Sequence, residues 1–347
     1  MRRVTLSDIA ERAGVTKMAV SLALRGQGRL RAQTRERIRR LAAEMGYEPD
    51  PALRALNTHK QQLKTADKGE VIALLVDGRE REPWKTQKFV MNFKEGVEAG
   101  ARQLGYRLVP FWAGDAPGKA LERMLVARGI RALILAPEPR RKKDRLPLDL
   151  DWERFSVVRL GRTHRDINVA SVTHDHYGSM QAVFTELLRR GYRRPALMHT
   201  ERSEERLEYR YAAAFQFMQR GLPEADRLPL CLVPAERVGM GDFTGFVRSH
   251  RPDVCISTDS TLLHYMKQSG LSVPAAMGFA SLDVQENQPD VSGIDQGLRE
   301  IGEAGMNLID LLIRTNARGL RTTEHKVVLG GTWHEGKTLR PPPTAAH

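Results

Sequence analysis

Residues Thr5–Gly26 read TLSDIAERAGVTKMAVSLALRG, two short helical patterns joined by one glycine. Leu6, Ile9, Ala10 and Ala13 fall at i, i+3, i+4 and i+7, a single apolar stripe. Thr5 is placed to cap this helix, with Asp8 three residues on in a capping-box arrangement. Gly14 supplies a tight turn, and the second helix is expected after Thr16, whose hydroxyl can satisfy a free N–H. Val20, Ala23 and Leu24 form its inner face, joined by Val15. Lys17, Met18, Ser21, Leu22 and Arg25 form its outer face. Ile38, Leu41, Ala42 and Met45 repeat the helical spacing, and Gly46 suits the C-cap. Ala10 and Gly14 permit close approach of the first two helices. The pattern predicts a helix-turn-helix unit whose second helix presents its outer face to a major groove.

The charge distribution agrees. The chain of 347 residues has a net charge of +13. Residues 1–64 hold 14 Lys/Arg against 6 Asp/Glu, a local excess of eight in under a fifth of the chain. Such a footprint suits a polyanion, because neutralising phosphates releases condensed counterions.

Residues 4–56 closely resemble the headpiece of the LacI/GalR family of bacterial transcription regulators. The resemblance rests on VTLSDIAERAGVTKMAVSLAL, on TRERIRRLAAEMGYEPD, and on the spacing through Tyr47 and Pro49. It implies that Lys17, Met18 and Leu22 read base edges. Lys17 can donate to guanine O6 or N7, and Met18 and Leu22 can press on thymine methyls. It places Thr5, Thr16, Ser21, Arg25, Thr34 and Tyr47 against phosphates, which fix position without reading sequence. Leu6 belongs to the same DNA-facing set. Arg31 stands where many relatives have a serine cap and can add a phosphate contact.

PDPALRALNTHKQQ follows from Pro49. Asp50 is a good N-cap, Pro51 a good first helical residue, and Leu53 and Leu56 form a short stripe. The resemblance implies a hinge that folds on DNA, with Leu53 and Leu56 in the minor groove and Leu56 wedged between central base pairs. Asp50 replaces the usual asparagine.

From Glu70 the rhythm becomes strand and helix in alternation: EVIALLV, a helix to Tyr106, RLVPFW, a helix to Ile130, RALILAP, and so on. That implies mostly parallel sheets with helices on both faces, split into two lobes. It looks like the periplasmic-binding-protein-like (type I) effector domain of the same family, in which the chain crosses between lobes three times. The expected organisation is a small all-α helix-turn-helix headpiece at 1–49, a hinge and linker at 50–69, and an α/β two-lobed domain at 70–340. The first lobe is expected at about 70–165 plus 296–325, and the second at about 166–295 plus 326–340. The effector belongs in the cleft at the strands' carboxyl ends. Asp77, Asn92, Arg210, Asp259, Asp283 and Gln296 are its candidates, with Tyr211 as an alternative to Arg210. Carboxylates and amides suit sugar hydroxyls. Trp84 and Trp112 can stack on a sugar ring or fill the core.

Catalysis is not expected. GxSxG, HExxH and GxGxxG are absent, and no phosphate-binding loop is expected. His174, Asp175 and His176 spell HDH without a third metal ligand at an orthodox spacing, and no cofactor is implied. No apolar run reaches a membrane span, and no secretory signal is seen. Cys231 and Cys255 read as buried, reduced thiols in a cytoplasmic, nucleoid-associated protein. The expected partners are a pseudo-palindromic double-stranded DNA operator, a small effector of carbohydrate type, and a second copy of the chain. The end of the sequence, LRPPPTAAH, has no leucine heptads, so a homodimer is expected. The expected role is a repressor. The alternatives are an activator of the same family or a solute-binding protein without a regulatory role.

Overall fold

A computed structural model describes residues 4–24, 31–47, 70–138 and 145–342. Three helices open it: α1 (Leu6–Ala13), α2 (Lys17–Leu24) and α3 (Ala32–Glu44). The capping box on α1 forms as read, with Thr5 accepting from the Asp8 amide and Asp8 accepting from the Thr5 amide. Gly14 closes the helix at φ 63°, a left-handed conformation that glycine adopts without a Cβ clash. The Thr16 hydroxyl accepts from the Ala19 amide at 3.2 Å, which starts α2. Ile9, Ala10, Ala13, Val20, Ala23, Ile38 and Ala42 form one buried cluster. Arg37 ties α3 to α1 by donating to the Ala13 carbonyl at 2.8 Å. Met45 caps α3, and Gly46 takes the left-handed turn after it. Arg31 makes no side-chain cap.

The rest of the described chain builds two six-stranded sheets, ordered β11-β5-β4-β3-β1-β2 and β12-β10-β9-β8-β6-β7. The first contains β1 (Val71–Val76), β2 (Arg107–Trp112), β3 (Ala132–Leu135), β4 (Ser156–Leu160), β5 (Ala170–His174) and β11 (Lys326–Leu329), all parallel. The second contains β6 (Pro195–Thr200), β7 (Cys231–Val233), β8 (Val254–Ser257), β9 (Gly278–Ser281), β10 (Gly293–Asp295) and β12 (Thr332–His334). Only the β10–β12 pair is antiparallel there.

Strand alternation feeds two layers. Ile72, Leu74 and Val76 face the helices Lys88–Leu104 and Leu298–Arg314. Ala73 and Leu75 face Leu121 and Leu125 of the helix Lys119–Ala127. Strands covered on both sides explain the near-continuous apolar runs in the sequence. The second sheet packs likewise between the helices His176–Arg189 and Arg210–Gln219 on one face and Met240–His250 and Thr261–Gln268 on the other.

The lobe boundaries read from sequence need correction. Residues 170–174 and 326–329 belong to the first sheet, because β5 pairs with β4 and β11 pairs with β5. The chain therefore crosses just after His174, again between Asp295 and Leu298, and again between Leu329 and Thr332. A short helix Glu201–Arg206 precedes the helix Arg210–Gln219.

Glycine sets the packing of the first lobe. The helices Lys88–Leu104 and Leu298–Arg314 meet where a Cβ on Gly96 would strike the Arg299 carbonyl and one on Gly302 would strike the Phe93 carbonyl. Gly302→Ala should therefore cost about 1–3 kcal/mol by overpacking. Denaturant unfolding should show a lower midpoint with an unchanged slope; an unchanged midpoint would mean that the helices can part without penalty.

Candidate functional site

Two regions carry function-bearing chemistry. On α2, Val20 and Ala23 are buried while Lys17 and Met18 face solvent, Met18 being 72% exposed. Ser21 and Leu22 are half-buried beside them, and Thr5, Thr16 and Arg31 are exposed. Leu6, Thr34 and Tyr47 are half-buried, with Leu6 and Tyr47 packed on the headpiece core. Arg25, Leu53 and Leu56 lie outside the described residues, as does Asp50.

The second region lies where strand carboxyl ends of both lobes converge. Asp77 follows β1, is 3% exposed, and binds His164 Nε2 through Oδ1 at 2.9 Å. Arg145 lies 3.7 Å from its other oxygen. His164 itself has φ 57°, uncommon for a residue with a side chain. Asn92, on the Lys88–Leu104 helix, keeps a buried side-chain oxygen that has no hydrogen-bond partner among the described residues.

From the second lobe, Gln296 follows β10 and donates to the Leu282 carbonyl at 2.8 Å and to the Tyr211 hydroxyl at 3.4 Å. Tyr211 is fully buried, and burial, Asp283 and Glu204 raise its pKa well above normal, so the phenol keeps its proton. Its ring meets His176 edge-on at 5.1 Å, and His176 meets His174 at the same separation. Burial pushes His174 down to about 4 and His176 down to about 2, so both rings are neutral near pH 7. Asp283, after β9, is pushed up to about 7 by burial, against the pull of Arg206. Asp259 departs from this group: its Oδ1 accepts from the Thr261 amide at 2.9 Å, the bond of a residue opening the next helix. Arg210 is half-buried and pairs with Glu208 at 3.0 Å.

A short network holds these elements in place. The Thr258 amide donates to His199 Nε2 at 3.1 Å, and His199 Nδ1 lies 2.5 Å from Glu204. The Ala212 amide donates to the other Glu204 oxygen at 3.1 Å. The ends of β6 and β8 and both flanking helices are thereby fixed to one another. Sequence reading missed His199 and Glu204, which carry no motif. It also missed Arg162 and Arg165 on the turn after β4, whose only signal was their place after a strand.

Several other motifs resolve structurally. Asp175 of the HDH run caps the His176–Arg189 helix by accepting from the Gly178 amide. Among the described residues, no His/Cys/Asp/Glu group is placed to hold a metal ion. Contrary to expectation, Gly331–Thr338 does spell GxxxxGKT. A phosphate loop lies between a strand and a following helix. Here the pattern contains β12, the Thr338 hydroxyl donates to the Phe279 carbonyl, and Lys337 pairs with Asp290. Trp112 donates to the Gly78 carbonyl at 2.8 Å, and Trp84 packs on the first-lobe core. Cys231 and Cys255 are buried free thiols. Among the described residues, no helix is long and apolar enough to cross a membrane.

Asp283 yields a pH prediction. Its carboxyl moves from 3.8 to about 7 on folding, so between those values the folded chain holds more protons than the unfolded one. Stability should then fall as pH rises through that window. Asp283→Asn should remove this slope, and its melting temperature should overtake the parent's by a few degrees, as an order of magnitude, by pH 8. Parallel melting curves from pH 5 to 8 would refute the raised value.

Residues 5–50 match the family described as "Bacterial regulatory proteins, lacI family". Residues 69–297 match "Periplasmic binding proteins and sugar binding domain of LacI family". Catabolite control protein A of Staphylococcus aureus is 23% identical over 317 residues, covering 88% of this chain and 91% of that protein. The sucrose operon repressor of Klebsiella pneumoniae is 31% identical over 140 residues, 39% of this chain and 38% of its own. Among solved structures, the transcriptional regulator CelR–cellobiose complex aligns with TM-score 0.52 and 18% identity, over 97% of this chain and 100% of that one. The lac repressor dimer bound to operator and the anti-inducer ONPF aligns with TM-score 0.53 and 18% identity, over 97% and 99%. At such identities the structures share the fold.

Proposed function

The chain belongs to the LacI family of bacterial regulatory proteins, and on that premise we propose that it is a repressor whose hold on DNA is set by a small carbohydrate effector. It is a DNA-binding transcriptional regulator with a headpiece and a two-lobed domain. The observation that carries the reading is α2, which buries Val20 and Ala23 and turns Lys17 and Met18 outward. A short helix built this way is anchored from behind and leaves a mixed cationic and apolar edge for bases.

In this reading Lys17, Met18 and Leu22 read the major groove. Thr5, Leu6, Thr16, Ser21, Arg25, Arg31, Thr34 and Tyr47 hold the backbone. Leu53 and Leu56 act at the hinge in the minor groove. Two chains form a homodimer and place their headpieces on the half-sites of a pseudo-palindrome. The lac repressor dimer bound to operator supports that arrangement by its fold. Asp77, Asn92, Arg210, Asp259, Asp283 and Gln296 serve the effector between the lobes. The sucrose operon repressor and the cellobiose complex among the relatives support a carbohydrate. Effector binding changes the angle between lobes and so the spacing of the two hinges, through a coupling of about 1–3 kcal/mol. The protein acts in the cytoplasm on the nucleoid and has no catalytic role.

Lys17→Ala should weaken specific operator binding by about 1–3 kcal/mol, roughly tenfold to a hundredfold, in an anisotropy titration. Binding to random duplex should change much less. Equal loss on both DNAs would make Lys17 a phosphate contact. Leu56→Ala should likewise cost operator more than random DNA; parity between them would discard the wedge.

A further inference from the structure

Three guanidiniums converge on one carboxylate between the lobes. Arg162 and Arg165, on the turn after β4, and Arg210, at the start of its helix, all pair with Glu208. Behind them Arg159 of β4 pairs with Glu324 at 2.7 Å, and Lys326 holds the same carboxylate. Arg145 spans Asp77 and Asp166. Among the described residues, six cations thus meet four carboxylates in these pairs. Arg162 is only 8% exposed. Burial and the nearby Arg210, Arg159 and Arg165 push its pKa down to about 10. It also lies close enough to His176 to lower that ring's pKa. The cationic group is therefore continuous with the His176–Tyr211–Gln296 part of the cleft.

Hydrogen bonding shows what chemistry completes the site. Among the described residues, Arg159 Nε and Nη1, Arg162 Nε and Arg210 Nε are buried without hydrogen-bond partners. A guanidinium only donates, so the group that completes it is an acceptor. Fork-shaped donors match the paired oxygens of a phosphate or carboxylate. Glu208 meets them from a costly backbone: it has φ 57° and Tyr209 has φ 55°. Residues with side chains hold that conformation only where their surroundings impose it.

We propose that Glu208 stands in for an oxyanion of the effector, and that the effector is an anionic sugar whose phosphate or carboxylate displaces Glu208 from Arg162, Arg165 and Arg210. This deepens the effector reading above and rests on it. Glu208 comes from the second lobe and Arg162 and Arg165 from the first, so the displacement breaks a link between lobes.

The test is the melting temperature of the full-length protein in inorganic phosphate, glucose, glucose 6-phosphate and glucuronate, with chloride holding ionic strength constant. Phosphate should raise it above the chloride control. Glu208→Gln should respond at an about tenfold lower phosphate concentration, because the competing carboxylate is gone. Arg162→Met in the Glu208→Gln background should abolish the response. If that variant does not fold, Arg165→Met, an exposed side chain, replaces it. A larger response to glucose 6-phosphate than to glucuronate assigns a phosphate ester, and the reverse assigns a carboxylate. No phosphate effect beyond chloride in either parent or Glu208→Gln overturns the proposal, as does glucose stabilising as strongly as its 6-phosphate. If glucose alone binds and shifts operator affinity, the effector reading survives and the anion is wrong. If ligands bind and none shifts operator affinity, the effector reading itself fails.

Discussion

The approach of the helices Lys88–Leu104 and Leu298–Arg314 governs where the cleft lies. Gly96 and Gly302 bring one helix against the backbone of the other. The second of these helices begins directly after a crossing between lobes, so its seat on the first sheet fixes where Gln296 emerges from the second. Arg299 extends the same contact by pairing with Glu95 and Glu286, and Lys88 reaches Glu286 at 3.3 Å. A close-packed glycine crossing is stiff, because carbonyl oxygens cannot yield as side-chain ends do. Its position suits a pivot better than a sliding surface.

On the second-lobe side, the polar chain from Thr258 through His199 to Glu204 and Ala212 does the equivalent positioning. Every member has a partner, which a buried polar group needs. The arginines of the cleft do not share that state. Among the described residues, several of their buried nitrogens find no acceptor. A scaffold that is fully satisfied and a cleft that is not have different roles: the first holds shape, and the second is completed by a ligand.

The headpiece was legible because its signals are local. Thr5 with Asp8, Gly14, and the i, i+3, i+4 stripe of α1 act within one or two helical turns, and each appears where the sequence puts it. The long strands and helices of the lobes were legible for the same reason. Lobe membership was not, since β11 joins β5 across some 150 residues and nothing in KVVL names its neighbour. The Glu201–Arg206 helix is short and carries no apolar stripe. Asp283 and Gln296 were found from their places after strands and do share the Tyr211 neighbourhood, whereas Asp259 turned to its own helix. Glu208 was invisible, because a left-handed backbone at Glu208 and Tyr209 leaves no mark in composition or period.

The central claim is that α2 reads duplex DNA from a twofold-symmetric pair of chains. Selection of bound duplexes from a random pool by the full-length protein tests it most directly. The account predicts an enriched pseudo-palindrome whose half-sites lie about one helical turn apart. Enrichment of a single unrepeated half-site, or no enrichment over the starting pool, would contradict it.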